Sequence, residues 1–309
     1  MIQELPDDPG APIADLVDDA RKGAAVATLA ERSSLPLRHF SLASHPFADS
    51  VNPDYFYRTE AHEEAFLAMS QCIEDNVSLG LCTAISGTGK TLLTQVLLKE
   101  LDSERYLPTL VLAYPGMSRS ALLREIIGEL GIEGLPARGG IHLSISAIQQ
   151  HIIKQYLRGL RLVLIIDEVH FLKADALHLL RTLSNIEVPD HKLITVLLFG
   201  EQTFLAKMKH PTYRSIFSRM FARVQLRPLN ESEVEQYVKF RMLVAGGSPE
   251  IVADSAIGPL HRLSGGVPRE INRICHNALA AAAKAGVRRI EGDLISRMTP
   301  APDAMEAAP

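Results

Sequence analysis

The stretch "AISGTGKTLL", residues 84–93, decides how the rest of the 309-residue chain is read. An apolar run, "VSLGLCTAI" (77–85), leads into it, and an apolar-periodic run, "GKTLLTQVLLKEL" (89–101), leads out. Strand, glycine-bearing loop, Lys-Thr and helix form the context of a phosphate-binding loop, whose usual pattern is G-x-x-x-x-G-K-[ST]. In such a loop successive backbone N–H groups point at phosphate from a helix N-terminus. The candidate nucleotide contacts are Ser86, Gly87, Thr88, Gly89, Lys90, Thr91 and Leu92. Lys90 reaches the β- and γ-phosphates of ATP, and the Thr91 hydroxyl holds Mg²⁺. The leading glycine of the pattern is Ala84 here. That glycine lets the strand end turn tightly and need not supply a phosphate donor, so alanine serves wherever φ stays negative.

A second stretch supports the first. "LVLIIDEVH" (162–170) is an apolar strand ending in Asp167-Glu168. It places one carboxylate beside Mg²⁺ and the next where water must be polarised; the other reading is an acidic pair capping the following helix. A further strand, "PTLVLAY" (108–114), falls between the two in sequence. That order, with Glu after Asp, is the arrangement of ATPases with an added catalytic glutamate.

Around these anchors, strands and helices alternate. The strands are "VSLGLCTAI", "PTLVLAY", "RLVLIID", "KLITVLLF" and "ARVQLRPL", nearly continuous in apolar residues. This predicts a parallel sheet covered on both faces. After Pro228 the strands stop, and four helical stretches, beginning at "ESEVEQYVKFRMLVAG" and ending at "EGDLISRM", predict a small helical domain. Residues 1–37 are an acidic arm, expected to be mobile, or to hold a short partner helix with Ile13, Leu16, Val17 and Ala20 on one face. "FSLASHPFADSVNPDYFY" (40–57) is expected to be an ordered extended linker, and residues 299–309 a loose end.

Composition excludes several classes. Hydrophobic residues make up 47% and charged residues 22% of the chain, an ordinary globular balance. Three cysteines far apart, with no C-x-x-C pair, suit a reducing compartment and give neither a disulfide framework nor a zinc site. No secretory signal or membrane-length apolar run is present, so a cytoplasmic location is expected. The net charge is −4, and residues 1–35 carry seven acids and three bases, which accounts for all of it. The remainder gives no bulk nucleic-acid footprint, which leaves a local basic stripe open.

Several further stretches, taken together, resemble one family. "FSLASHPFADSVNPDYFY" is similar to an opening F-x-L-x-x-x-P-F-x-x-x-x-x-P-x-x-x-Y segment, followed by an H-x-x-A-like helix start at "HEEA". "IIDEVHFL" resembles IIDEAQ-x-L, and "LRTLSNIEVPDHKLITVLLFGEQTF" resembles L-R-x-L-S-N-x-E leading into L-x-G-Q. "SRMFARVQLRPL" and "SGGVPREINRICHNAL" resemble Q-R-I-x-x-R…L-x-P-L and S-G-G-x-P-R-x-I-N. From about residue 38 to 297 the chain is similar to the AAA+ ATPase domain of the ExeA/GspA family, the general secretion pathway A proteins. The resemblance implies an α/β P-loop NTPase domain (38–228), with a five-stranded parallel sheet flanked by helices, and an all-helical lid (229–298).

The resemblance also implies roles. Lys90 and Thr91 bind phosphate and Mg²⁺, Asp167 organises Mg²⁺, and Glu168 is the base for the attacking water. Arg269 in "GVPR" matches the lid arginine that touches the nucleotide. Arg219 fits an arginine finger acting on a neighbouring subunit, with Arg214 and Arg223 as rivals, and so implies a homo-oligomer. Tyr55, Phe56 and Tyr57 wall the base or simply pack the linker. His170 stands where the family often has Gln, as a γ-phosphate coupling residue or as a plain helix-start histidine.

The chain departs from the pattern at the glycine of "LLFG", after which the family places a Gln that senses the γ-phosphate or its water. Here Glu201 stands first and Gln202 second. A carboxylate facing phosphate oxygens is repelled, so either Gln202 takes the role or Glu201 turns away. The family's secretion members continue into a membrane span and a cell-wall-binding region, neither of which this sequence includes. Three functions remain open at this point: an accessory ATPase that assembles or localises an envelope secretion or polysaccharide-export apparatus through a protein partner, a DNA-bound targeting ATPase of the transposition type, and a nucleotide-binding scaffold with little turnover. Nine bases nearly balance eight acids across the lid, which weakens the DNA reading.

Overall fold

The structure, a computed structural model, describes residues 29–48, 53–134, 140–189 and 191–298. Five parallel strands form the central sheet: β1 (Leu79–Ala84), β2 (Tyr106–Leu112), β3 (Arg161–Asp167), β6 (Ile194–Glu201) and β7 (Met220–Leu226). Two-residue strands β4 (Glu187–Val188) and β5 (His191–Lys192) form a separate small antiparallel pair that no apolar run announces. The sheet order is β2-β3-β6-β1-β7, which sets β6 between the strand of the phosphate loop and the strand of Asp167.

The apolar strands sort by period two. Leu79 and Leu81, Leu162, Leu164 and Ile166, and Val196 and Leu198 face one core. Cys82 and Ala84, Val163 and Ile165, and Leu197 and Phe199 face the other. The three central strands are buried on both sides, which explains their unbroken apolar sequence. Helices α4 (Arg119–Glu129), α5 (Ile141–Tyr156) and α6 (Ala174–Leu183) cover the first face, joined by the short α7 (Thr203–Met208) and α8 (Arg214–Phe217). Helices α2 (Glu60–Glu74) and α3 (Lys90–Glu100) cover the second.

The lid comprises α9 (Glu231–Val244), α10 (Asp254–Ser264), α11 (Pro268–Ala285) and α12 (Gly292–Ser296) around a third core. Helix α9 opens with a complete capping box, the Asn230 side chain accepting from the Glu233 N–H while the Glu233 carboxylate accepts from the Asn230 N–H. Leu229 N–H donates to Gly266 O at 2.9 Å, and a Cβ on Gly266 would lie 2.0 Å from Leu229 O. At φ +72° the position admits only glycine, which fixes the "SGG" turn against the start of the lid.

One expectation is revised. The boundary between arm and domain at 37/38 falls inside a helix, α1 (Leu29–Phe40). Phe40, Leu42 and Phe47 are buried in the lid core, with Leu37 packed against it. The apolar spacing of this segment finds its partner in the lid, so the start of the "linker" is part of the lid's packing. The partner-helix residues Ile13 to Ala20 and the tail from 299 onward lie outside the described residues.

Candidate functional site

The loop between β1 and α3 carries the first half of the site. Gly87 and Gly89 have φ of 84° and 106°, the left-handed conformation that turns consecutive N–H groups to one side. Thr88 closes the turn, its N–H and its hydroxyl both donating to Ile85 O. Ala84 ends β1 fully buried and is absent from the positive-φ residues, so it meets the condition under which alanine replaces the glycine. Lys90 is buried at 6% exposure and lines the cleft.

His62, on α2, braces the loop from behind. It is buried, and burial holds its pKa below the ordinary imidazole range. The neutral ring donates from Nε2 to Thr88 O at 3.0 Å and accepts at Nδ1 from the Thr59 hydroxyl at 2.7 Å. Its Nε2 would lie 3.0 Å from a Cβ on Gly89. The H-x-x-A start seen in the sequence thus has a physical role that sequence reasoning did not assign.

The second half comes from the end of β3. Thr91 hydroxyl donates to Asp167 Oδ2 at 3.0 Å, bringing together two residues 76 positions apart. Asp167 is buried, and its other oxygen accepts from the Glu168 N–H at 2.8 Å. Among the described residues no group of three or more His, Cys, Asp or Glu is placed to hold a metal. One buried carboxylate and one hydroxyl, both hard oxygen donors, nonetheless fit Mg²⁺, which fills its remaining positions with waters and substrate phosphate. Asp167 and Thr91 would hold that ion, which when bound neutralises phosphate charge. Glu168 sits at φ 55°, a left-handed conformation uncommon outside glycine. Such backbone strain concentrates at functional sites and turns this carboxylate toward the cleft.

The lid supplies the third part. Arg269 donates from Nη1 to Ser86 Oγ at 3.1 Å, and its N–H donates to Gly87 O at 3.2 Å. A Cβ on Gly87 would lie 2.8 Å from Arg269 Cβ, so the loop needs glycine there because the lid closes onto it. The cleft between them, about 190 Å³, is lined by Ser86, Gly87, Gly89, Lys90, Thr91, Leu92, Glu168 and Arg269 from the predicted set, joined by Tyr237, Arg241 and Asn272. Thr88 lines a small adjoining recess with Tyr55, Phe56, Tyr57 and His62.

Sequence reasoning missed Tyr237, Arg241 and Asn272. Arg241 is buried, without a carboxylate partner among the described residues. It donates from Nε to Pro46 O and from Nη1 to the Tyr237 hydroxyl, and lies over the Tyr55 ring at 4.7 Å. Tyr237 in turn donates to Asn272 Oδ1 at 2.8 Å, and burial raises its pKa. A tyrosine and an arginine four apart on α9 were the available signal, and alone it is indistinguishable from a solvated helix face.

Besides Thr88 and the buried Asp167, three predicted residues lie outside the cleft lining. Glu201 ends β6 opposite Ala84 in the strand register and stands near His170. Gln202 is exposed at the start of α7, its N–H donating to Ala84 O at 3.0 Å. Arg219 precedes Met220, which pairs with Leu79 at the far end of β1. Five residue steps separate that level from Ala84, about 17 Å along the sheet. Arg219 is exposed there and bonded to the Asn185 side chain, out of reach of its own phosphate loop. Arg214 is exposed as well, and Arg223 lies over the Phe217 ring at 4.7 Å.

The fold is that of a P-loop NTPase of the AAA+ class. The AAA domain family matches residues 73–208. Over 256 residues, 82% of the chain, the sequence is 35% identical to general secretion pathway protein A of Aeromonas hydrophila. The chain belongs to the AAA+ ATPases and is a homologue of that protein, matching 46% of its length. Among solved structures it is similar to CDC6P of Pyrobaculum aerophilum, with a TM-score of 0.62 and 16% identity over 79% of this chain and 67% of that one. It is similar also to the ORC2 protein of Aeropyrum pernix, with a TM-score of 0.60 and 17% identity over 85% and 71% of the two chains. At these identities the two likenesses show the fold. No helix among the described residues is long and apolar enough to cross a membrane.

Proposed function

We propose that the chain binds ATP with Mg²⁺, hydrolyses it, and uses the cycle as a switch in an ATP-dependent homo-oligomer. The observation that carries this reading is the Thr91–Asp167 hydrogen bond of 3.0 Å under a loop that the lid arginine also touches. It sets the two metal-binding groups beside Lys90 before any ligand arrives, and preorganisation of that kind lowers the cost of binding. Glu168 then takes the proton of the attacking water. Arg269 stabilises charge from the lid, and Arg219 does so from the neighbouring subunit, in keeping with its distance from its own loop. Likeness to general secretion pathway protein A favours a cytoplasmic accessory role toward a protein component of a secretion or envelope apparatus.

The test mixes two defective proteins. Lys90→Ala lacks the phosphate charge and Arg219→Ala lacks the finger, and a shared interface lets each supply what the other has lost. ATP turnover in the mixture is expected to exceed that of either alone. Fingers of this type supply about 10³–10⁵ in rate in comparable phosphoryl transfers. Rescue with Arg223→Ala and none with Arg219→Ala would place Arg219 within its own subunit's machinery; no rescue with either would remove the intersubunit site. Turnover that rises only with duplex DNA would move the target from protein to nucleic acid.

A further inference from the structure

Two carboxylates of this site meet on one imidazole. His170 lies in the short turn Val169–Phe171 that follows β3, and β6 packs directly on that turn, so that a Cβ on Gly200 would lie 2.8 Å from Val169 Cγ1. The His170 Nδ1 stands 3.2 Å from Glu168 Oε2, and Nε2 stands 3.9 Å from Glu201 Oε2. The Glu201 N–H lies 3.4 Å from the same Nδ1, which accepts it only in the tautomer that does not donate to Glu168. The turn itself is pinned by Lys207, whose ammonium donates to the backbone oxygens of His170 and Leu172. With Lys207 engaged there, the imidazole is the basic group in contact with both carboxylates.

Glu201 stands level with Ala84, where β1 runs into the phosphate loop. A free carboxylate at that strand end adjoins the phosphate loop, where its repulsion of an incoming triphosphate would be poorly screened in a partly desolvated cleft. The His170 side chain is 13% exposed, against 30% for Glu168 and 38% for Glu201, so the ring is the buried member and the carboxylates are the solvent-accessible ones.

We propose that His170 is a positioning residue that draws the Glu201 carboxylate away from the phosphates and, with its other nitrogen, sets the direction of Glu168. Glu201 on this account is the partner of His170 and not the group that senses the nucleotide. The inference rests on the ATP-binding reading above. It assigns His170 no contact with substrate, only control of two groups that flank it.

The experiment is a double-mutant cycle on the full chain, read by titration with a fluorescent ATP analogue and Mg²⁺ and by steady-state ATP turnover. Removing His170 releases the Glu201 charge toward the phosphates, so neutralising Glu201 matters more once the ring is gone. Glu201→Gln is expected to tighten the analogue at least about tenfold more in the His170→Ala background than in the wild type, a coupling within the range seen for residues in contact. His170→Ala alone is expected to lower kcat by more than any change in KM accounts for, because Glu168 loses its orientation. Equal effects of Glu201→Gln in the two backgrounds overturn the proposal, as does a larger effect in the wild type. Should His170→Ala fail to fold, His170→Leu fills the volume without a donor and is read in the same cycle. Absence of analogue binding to folded wild-type protein sinks the ATP reading itself, whereas binding with additive variants sinks the His170 assignment alone.

Discussion

The floor of the nucleotide cleft and its roof differ in how their polar groups are held. On the floor, Lys90, Thr91, Asp167 and Glu168 sit at the ends of buried parallel strands or in the first turn of the helix that follows. Backbone geometry fixes them, and each is a few residues from a feature that a sequence displays. In the roof, Tyr237 and Arg241 come from α9, Arg269 and Asn272 from α11, and Pro46 and Tyr55 from the segment before α2. Nothing local sets these three segments against one another. They meet because the apolar faces of α1, α9 and α11 pack into one core, and the hydrogen bonds from Pro46 through Arg241 and Tyr237 to Asn272 follow from that packing. The floor is therefore expected to govern chemistry and phosphate affinity directly, and the roof to act through shape and stability.

The largest effect expected is on the floor. Lys90→Ala removes the buried ammonium beneath the phosphates and is expected to abolish binding of a fluorescent ATP analogue, measured by titration with Mg²⁺. Binding retained within tenfold of wild type would show that the loop's N–H groups suffice and would break the contrast. Glu168→Gln follows. The amide keeps the shape but cannot accept a proton, so binding should persist while hydrolysis falls by about 10²–10⁴-fold, the usual contribution of a general base. Single-turnover rates measure it, and turnover at the wild-type rate would remove Glu168 from that role.

The roof should respond differently. Arg241→Met leaves Pro46 O and the Tyr237 hydroxyl without their donor and is expected to cost about 1–3 kcal/mol of stability, the penalty for orphaned buried polar groups. Urea unfolding reads that loss. ATP affinity should weaken by about tenfold, or 1.4 kcal/mol, through misplacement of the recess walls. Affinity lost as completely as in Lys90→Ala with stability unchanged would make Arg241 a direct phosphate contact and move it to the floor.

The same contrast explains what the amino-acid sequence disclosed. The three central strands and the phosphate loop were legible because a strand buried on both faces must be continuously apolar, and because a loop that wraps phosphate must carry glycine where φ is positive. The strand order, with β6 inserted between β1 and β3, brings Thr91 to Asp167, and adjacency of that kind is not written in either segment. Arg241 was invisible as a cleft residue: an arginine on a helix is ordinarily solvated, and only the arrival of Pro46 and Tyr55 buries it. His170 was left between two roles because its partner, Glu201, lies 31 residues away on another strand. Most of helix α1 was read as arm because Leu37 and Phe40 pack on the lid, whose surface cannot be seen from one end of the chain.

The smallest effect concerns the residue that weakens the loop's match to pattern. Ala84 is fully buried, pairs with Glu201 on one side and Leu226 on the other, and its carbonyl accepts the Gln202 N–H at 3.0 Å. Its methyl packs in the core on the α2–α3 face of the sheet. The N–H groups that cradle phosphate begin beyond it, so replacing the methyl with hydrogen changes no donor. Ala84→Gly should cost about 0.5–1 kcal/mol of stability, because glycine loses more backbone freedom on entering a strand. ATP affinity should change by less than about tenfold, or 1.4 kcal/mol, by the same analogue titration. A gain beyond tenfold would mean that the methyl holds the strand end too rigidly for the loop to close on its ligand. The floor would then be limited by packing, as the roof is, and the contrast between them would fail at its nearest point.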